Sequence, residues 1–285
     1  MTNSKSNAKW RLPYESQRYS QHGEDGIIEL LTNAMHHANR FVFEIGWGSG
    51  VENMSRSLFE QGWSGIGIDG AKKPHPDLVL PSQFCYRAMY VTPDTLSAAF
   101  EDVPRDLDFF SLDIDSFDFD VALWAINHGY RPKAVCVEIN PAFGPEIEAS
   151  FPWQPPQNRP KHIYDKHHLY GSSLAKYQAF WCSYGYRFFT IDSSSTNAFF
   201  YDPGWLDPIP DVPVLDNSQL GVQSDSVSAI IDAHPYWQHH RELIYRRPIE
   251  HEPTDACDAS IDPMLDHQNS NGIGITDAAR YPDQT

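Results

Sequence analysis

Apolar residues fall along this chain in two alternating rhythms. Short runs with strand character occur at Arg40–Ile45, Gly65–Asp69, Tyr86–Val91, Leu107–Ile114, Lys133–Ile139, Tyr186–Ile191 and Asn197–Tyr201. Between them lie stretches of helical spacing. Gly23 to His37 places Ile27, Ile28, Leu30, Leu31, Ala34 and Met35 on one face. Further helices are predicted over Val51–Gln61, stopped by Gly62, over Pro93–Glu101 with Thr92 as its cap, over Asp118–His128, and over Ser172–Tyr184. Strands that alternate with helices and end in a strand pair predict an α/β fold around a mostly parallel sheet. The rhythm is absent from residues 1–18, a polar lead, and is lost again after Pro203. The chain thus divides into a lead (1–18), an α/β domain (19–203) and a proline-rich C-terminal extension (204–285). Within the extension, Val227–Tyr245 has the pattern of a helix or helix pair, and His251–Thr285 has the composition of a loosely ordered tail.

The first strand carries the most specific local signal. Phe41-Val-Phe-Glu-Ile-Gly-Trp-Gly-Ser-Gly50 reads as a buried strand entering a glycine-rich turn and then a helix. Glycines permit close backbone approach and positive φ, and a helix N-terminus directs N–H groups at an anionic or polar ligand. The second strand ends in Asp69, about 25 residues after Glu44, the distance at which an acid on a neighbouring strand reaches a ribose diol. Here an acid precedes the first of three alternating glycines, Gly46, Gly48 and Gly50, in place of the Gly-x-Gly-x-x-Gly spacing of a dinucleotide site. A nucleoside-containing cofactor is the expectation.

Charge and cysteine content narrow the classes. The formal net charge of −17 over 285 residues argues against a nucleic-acid substrate, which needs a basic track. No apolar run approaches the roughly 20 residues that span a bilayer, and Met1–Arg11 has no apolar signal core. Cys85, Cys136, Cys182 and Cys257 are scattered and form no Cys-x-x-Cys pair, so four free thiols in a reducing cytoplasm are expected. A small-molecule or sugar substrate suits this charge. A homo-oligomer is compatible with the sequence, with the extension as an arm that embraces a partner.

In open α/β sheets ligands bind beyond the carboxyl ends of the strands. The residues predicted there form an acidic rim: Glu44, Asp69, Asp113, Asp115, Glu138 and Asn140. Leu112-Asp-Ile-Asp-Ser-Phe-Asp118 is acid-dense, and Asp115 or Ser116 alone would serve as a helix cap. With Glu138 and Asn140 from the next strand, Asp113 and Asp115 make an oxygen ligand set for Mg²⁺ or another hard divalent ion. His168, in the aromatic and proline-rich excursion after the fifth strand, is a candidate general base, as are Asp113 and Glu138.

Six blocks in order then carry a family resemblance. Tyr19-Ser-Gln-His-Gly-Glu-Asp-Gly-Ile-Ile28 resembles the opening of FkbM-like methyltransferases, within the class I S-adenosylmethionine-dependent methyltransferases. Phe43-Glu-Ile-Gly resembles their first motif, and Ser111-Leu-Asp-Ile-Asp-Ser-Phe-Asp118 their Asp-rich block. Arg131 to Pro145 resembles their fifth strand and its exit. Tyr170-Gly-Ser-Ser-Leu-Ala and Asn197-Ala-Phe-Phe200 resemble two late blocks. The resemblance covers residues 19–201 and implies a Rossmann-like, seven-stranded sheet with helices on both faces, bound S-adenosylmethionine, and methyl transfer to a hydroxyl or amine of a small metabolite or sugar. It implies that Glu44, Gly46 and Gly48 line the cofactor, that Asp69 holds its ribose and Asp113 lies beside its sulfonium, and that Gln21, Glu24 and Asp25 come from a helix covering the site. Ser116 where the family has Gly, and Trp47 in the turn, depart from the pattern. The rival readings are an NAD-type oxidoreductase or epimerase, whose Tyr-x-x-x-Lys pair is missing at Tyr164 because His168 follows four on, and a non-catalytic protein that keeps the fold.

Overall fold

A computed structural model describes residues 12–36, 39–153 and 170–220, together with Ile244. Seven strands form one sheet in the order β3-β2-β1-β4-β5-β7-β6. They are β1 (Phe41–Ile45), β2 (Ser64–Asp69), β3 (Phe84–Ala88), β4 (Phe109–Leu112), β5 (Ala134–Glu138), β6 (Arg187–Ile191) and β7 (Asn197–Tyr201). The first five pair in parallel, and β7 runs antiparallel between β5 and β6. The helices are α1 (Glu24–Asn33), α2 (Arg56–Glu60), α3 (Leu96–Ala99), α4 (Asp118–Asn127) and α5 (Leu174–Ser183). Every residue of β4 and β5 is buried, as central strands covered on both faces must be. This is the seven-stranded Rossmann-like architecture expected from the alternation of elements.

The core is aromatic. Phe43 of β1 stacks on Phe110 of β4 with ring centroids 5.5 Å apart, and Phe100 meets Phe43 edge-on at 4.9 Å, a favoured geometry for ring quadrupoles. The closing strands pack on α5 through Trp181 and Phe200. Because the strand order reverses between β1 and β4, the loops that follow these two strands diverge and leave a crevice at the carboxyl edge.

Several boundaries differ from the sequence pattern for identifiable reasons. The helix expected from Val51 begins only at Arg56, because residues 48–55 form a turn whose last N–H groups are held by the Glu44 carboxylate. The third strand begins at Phe84 rather than Tyr86. The helix α3 is shorter than expected, and Thr95 rather than Thr92 stands at its start. There the Thr95 hydroxyl accepts from the Thr92 N–H at 2.8 Å. Cys85 and Cys136 are free thiols, but Cys182 is disulfide-bonded. This corrects the expectation of four free thiols, and disulfides are uncommon in a reducing cytosol. Among the described residues no helix is long and apolar enough to cross a membrane. Of the helical pattern at Val227–Tyr245 only Ile244 lies within the described residues; it is fully buried, and its carbonyl accepts from the Ser150 N–H at 2.9 Å.

Opposite the crevice, at the amino ends of β4 and β5, Lys133 and Asp108 form a fully enclosed ion pair. Asp108 also accepts from the Phe41 N–H at 3.0 Å, and the Lys133 ammonium lies 4.8 Å from the Trp205 ring centroid. Removing one partner of a buried pair strands the other charge, at a cost of about 3–5 kcal/mol. Lys133→Met is therefore expected to destabilise the protein by that amount in urea denaturation, and Asp108→Asn combined with it to recover part of the loss. A Lys133→Met loss under about 1 kcal/mol would contradict this account.

Candidate functional site

The glycine turn after β1 is where sequence and geometry meet most tightly. Gly46 has φ +92°, and a Cβ there would stand 1.5 Å from the Asp113 carbonyl oxygen. Its glycine identity follows from the close approach of the turn to the backbone just beyond β4. Gly50 (φ +76°) and Gly67 both make room for the Trp47 ring, which a Cβ would reach at 2.2 and 2.6 Å respectively. Trp47 is fully buried. Its indole N–H donates to the Ser55 hydroxyl at 3.1 Å, and its ring packs on Phe84 and Tyr86. The tryptophan that departs from the family pattern is thus the anchor of a small second core between α2 and β2–β3. Gly48 is different. At φ +66°, a Cβ there would meet nothing closer than 3.8 Å, so its left-handed backbone requires glycine while the space beside it stays open.

The acids predicted to line a cofactor are largely bonded to the protein's own backbone. Glu44 is buried, and its two oxygens accept from the N–H groups of Met54 and Ser55, each at 2.9 Å. It thereby ties the turn before α2 to β1, while the first helical N–H, that of Arg56, donates to Asn53 Oδ1 at 3.0 Å. Burial nonetheless outweighs these bonds and pushes its carboxyl up to about 7. Asp69 accepts from Gly48 N–H at 2.8 Å, Ala71 N–H at 2.7 Å and Lys72 N–H at 2.6 Å. Three of the roughly four lone-pair directions of a carboxylate thereby tie the glycine turn to the loop after β2, and one stays open. Gln21 lies exposed in the loop before α1, its carbonyl accepting from the Gln17 amide. Glu24 is fully buried and links His22 N–H to the Asn197 amide of β7. Burial and then Asp192 raise its carboxyl above the usual range.

At the ends of β4 and β5, Asp113, Asp115 and Glu138 converge, each offering a carboxylate oxygen within 4.8 Å of the others. Asp115 is exposed, Asp113 keeps partial solvent contact and Glu138 is buried. Burial first, then the charges of Asp118 and Asp115, push Asp113 up to about 8. Burial and then Asp113 carry Glu138 well above the carboxylate range. Glu138 Oε2 is buried with no hydrogen-bond partner. Adjacent carboxylates this enclosed hold a proton between them or take a cation.

Asp118 organises the loop that carries two of these acids. Its Oδ1 accepts from Ile114 N–H at 2.8 Å and its Oδ2 from Ser116 N–H at 2.9 Å. Burial pushes Asp118 itself up to about 6. The capping expected of Asp115 or Ser116 is not made: α4 begins without a side-chain cap, and Asp118, its first residue, ties back the loop before it. The left-handed residue of the loop is Asp115 (φ +52°), and the positive-φ positions do not include Ser116, which explains why a serine is tolerated where the family has glycine. Asp tolerates this conformation better than most side chains, as Asp102 (φ +61°) also shows.

Asn140 does not offer its side chain to this group as freely as its position suggested. Its Oδ1 accepts from Ala142 N–H at 3.0 Å and caps a short 3₁₀ turn, while its amide donates to the Tyr170 carbonyl at 2.9 Å. His168 lies outside the described residues. Tyr170 had no role assigned from sequence. Asn140 holds it on one side, and on the other Gly171 N–H donates to the Ser116 carbonyl at 2.9 Å. Its phenol is raised by burial and then by Glu138, Asp115 and Asp113. The signal available was that it opens the block Tyr170-Gly-Ser-Ser, one of the six that carry the family resemblance.

No protein-family model and no curated protein matches the sequence. Solved structures resemble the fold at low identity. A candidate hemolysin from Lactococcus lactis is 13% identical over 74% of this chain and 100% of its own, with a TM-score of 0.43. An O-methyltransferase from Bacillus cereus in complex with SAH is 14% identical over 61% and 76%, with a TM-score of 0.37. An SAH-bound methyltransferase from Podospora anserina is 12% identical over 69% and 83%, also at 0.37.

Because Glu44 retains a proton in the fold that it loses in the unfolded chain, it contributes stability below its ordinary pKa near 4.5, and that contribution is lost as pH rises through about 7. Glu44→Gln is expected to cost about 1 kcal/mol by breaking one of the two N–H bonds. It should also flatten the fall in melting temperature between pH 4.5 and 7 relative to the parent protein. Parallel pH curves for the two proteins would show that Glu44 is ionised in the fold.

Proposed function

We propose that this protein is an S-adenosylmethionine-dependent methyltransferase acting on a hydroxyl or amine of a small metabolite or sugar, assisted by a divalent cation at the acidic rim. The observation that carries the reading is the convergence of Asp113, Asp115 and Glu138 beside a glycine turn at the switch point of a 3-2-1-4-5-7-6 sheet. The six sequence blocks that resemble FkbM-like methyltransferases support it.

The residues fit the cofactor in two respects. Gly48 presents open space at the turn, and Asp69 holds that turn in place with an acceptor direction to spare. When bound, the cofactor supplies a methyl group already activated on a sulfonium. The protein's part is then positioning and proton removal. The acidic rim favours a cationic group beside Asp113. An acceptor hydroxyl must lose its proton as it is methylated. Glu138 Oε2, a buried oxygen without a partner, is the atom suited to take that proton or to ligate a cation. Three carboxylates are a hard oxygen set appropriate to Mg²⁺, which would lower the pKa of a coordinated hydroxyl. Asn140 would join as a ligand only through the lone pair its Ala142 bond leaves free. His168 is the alternative base.

The engagement of Glu44, Asp69 and Asn140 by the protein's own N–H groups favours one other reading, a fold-retaining protein without turnover. Calorimetric titration with S-adenosylhomocysteine separates the two at the first step, since saturable binding is expected of the enzyme and no binding in either the presence or absence of Mg²⁺ would remove it. Asp115→Ala is expected to lower methyl transfer at least about 100-fold while leaving S-adenosylhomocysteine affinity within about threefold. Full activity in excess chelator would sink the metal-assisted form.

A further inference from the structure

The glycine turn after β1 carries more backbone donors than the fold itself uses. Backbone φ is positive at Gly46, Gly48 and Gly50 (+92°, +66° and +76°), while Trp47 and Ser49 between them keep the ordinary sign. Alternation of this kind turns successive N–H groups toward one concave side, a nest for an anion. The first groups of the run are engaged internally. Gly46 and Trp47 both donate to the Ile68 carbonyl at 2.9 Å, and Gly48 donates to Asp69 Oδ2 at 2.8 Å, so the turn already holds one carboxylate. The N–H groups of Ser49, Gly50, Val51 and Glu52 find no acceptor among the described residues. The next to be paired is that of Asn53, which donates to the Tyr19 carbonyl at 3.2 Å. Val51 and Glu52 are exposed and Ser49 is half-buried, so this stretch opens to solvent.

A cation stands over the same opening. The loop after β2 is tied to the turn by His75 N–H, which donates to the Ser49 carbonyl at 2.8 Å. Within that loop Lys72 is fixed through its backbone. Its N–H donates to Asp69 Oδ1 at 2.6 Å, and its carbonyl accepts from the Tyr86 hydroxyl. From this anchor the side chain runs across the turn: a Cβ built on Gly48 would have the Glu52 carbonyl oxygen at 3.8 Å and Lys72 Cδ at 3.9 Å as its neighbours. Lys72 is exposed, and among the described residues no ion pair or hydrogen bond engages its ammonium. Of the acids on these two segments, Asp69 is bonded to three N–H groups and Glu52 is exposed to water. In a chain of net charge −17, a lysine held in place without a carboxylate partner is placed for an anion that arrives with a ligand.

We propose that Lys72 and the free N–H groups of residues 49–52 hold the carboxylate at the amino-acid end of the bound cofactor. The assignment rests on the methyltransferase reading and gives that cofactor an orientation. The crevice presents opposite charges to the two ends of one ligand. An ammonium and N–H donors stand at the glycine turn, and carboxylates crowd at the ends of β4 and β5. S-adenosylmethionine carries an anionic carboxylate and a cationic sulfonium, and so matches this division. A carboxylate accepts several N–H donors and an ammonium together, in charge-assisted bonds stronger than neutral ones. Lys72 is then a binding residue that selects for the carboxylate and takes no part in proton removal.

The test is calorimetric titration of the full chain with S-adenosylhomocysteine and with its decarboxylated analogue, which differs only in lacking the carboxylate. Both are measured at constant ionic strength, with and without Mg²⁺. The parent protein is expected to bind S-adenosylhomocysteine at least about tenfold more tightly than the analogue. Lys72→Met should weaken S-adenosylhomocysteine about tenfold and leave the analogue within about twofold, so that the preference collapses. Lys72→Arg, which keeps the charge, should retain most of the preference. Lys72 is exposed, so both variants are expected to melt with the parent protein. Equal losses for the two ligands in Lys72→Met would make Lys72 a packing residue of the turn, and no loss for either would place it away from the ligand. Each of these outcomes overturns the proposal while the methyltransferase reading stands. Failure of the parent protein to bind either ligand under either condition would remove that reading, and this assignment with it.

Discussion

A carboxylate withdrawn from water must be answered by N–H donors, by a proton or by a cation, and this requirement organises the protein. Glu44, Asp69 and Asp118 stand near the carboxyl edge of the sheet, and each is answered by backbone N–H groups of its own loop. Asp192, between β6 and β7, is answered in the same way by Ser194, Thr196 and Asn197. These acids are architectural. They shape the turns from which the crevice is built. Among the described residues two carboxylates keep a buried oxygen without a partner: Glu138 at the rim, against Asp113 and Asp115, and Asp25 under the N-terminal segment. At the rim, where the protein's own donors run out beside partly exposed carboxylates, a cation has a reason to bind.

The glycine turn obeys a different constraint, that of space. Three glycines around it are dictated by what lies behind them, the Asp113 backbone for Gly46 and the Trp47 ring for Gly50 and Gly67. Only Gly48 faces open volume. A motif read as a single cofactor loop is thus mostly a packing solution, with one position left over for recognition. Trp47 exploits this by filling the gap between α2 and the outer strands with an amphipathic ring whose N–H finds Ser55.

The two ends of the sheet have opposite electrostatic character. At the amino edge the Lys133–Asp108 pair is closed on itself, with an aromatic ring over the ammonium. At the carboxyl edge Asp113, Asp115 and Glu138 crowd together, and among the described residues no ion pair engages them. The first arrangement fixes register and stability. The second holds charge in a state that a bound cation or a cationic cofactor relieves.

Much of this was legible in the order of residues. Strand–helix alternation is a local property, since side-chain period follows backbone geometry, and it yielded the sheet, its strands and the closing pair. The acids after β4 and β5 were legible as candidates because a strand end in an open α/β sheet is a predictable place. What only the tertiary structure decided was which of those acids is free to act. Glu44 and Asp113 look alike in sequence, yet one meets two N–H groups of the next turn and the other meets Glu138. Asn140, expected beside the carboxylates, holds the 3₁₀ turn and Tyr170 instead. The unanswered oxygen of Asp25 is invisible in the string Glu24-Asp25-Gly26, because hydrogen-bond saturation depends on donors brought from elsewhere by the fold. Sequence determines which groups can carry charge; the packing of distant segments determines which charges are left unmet.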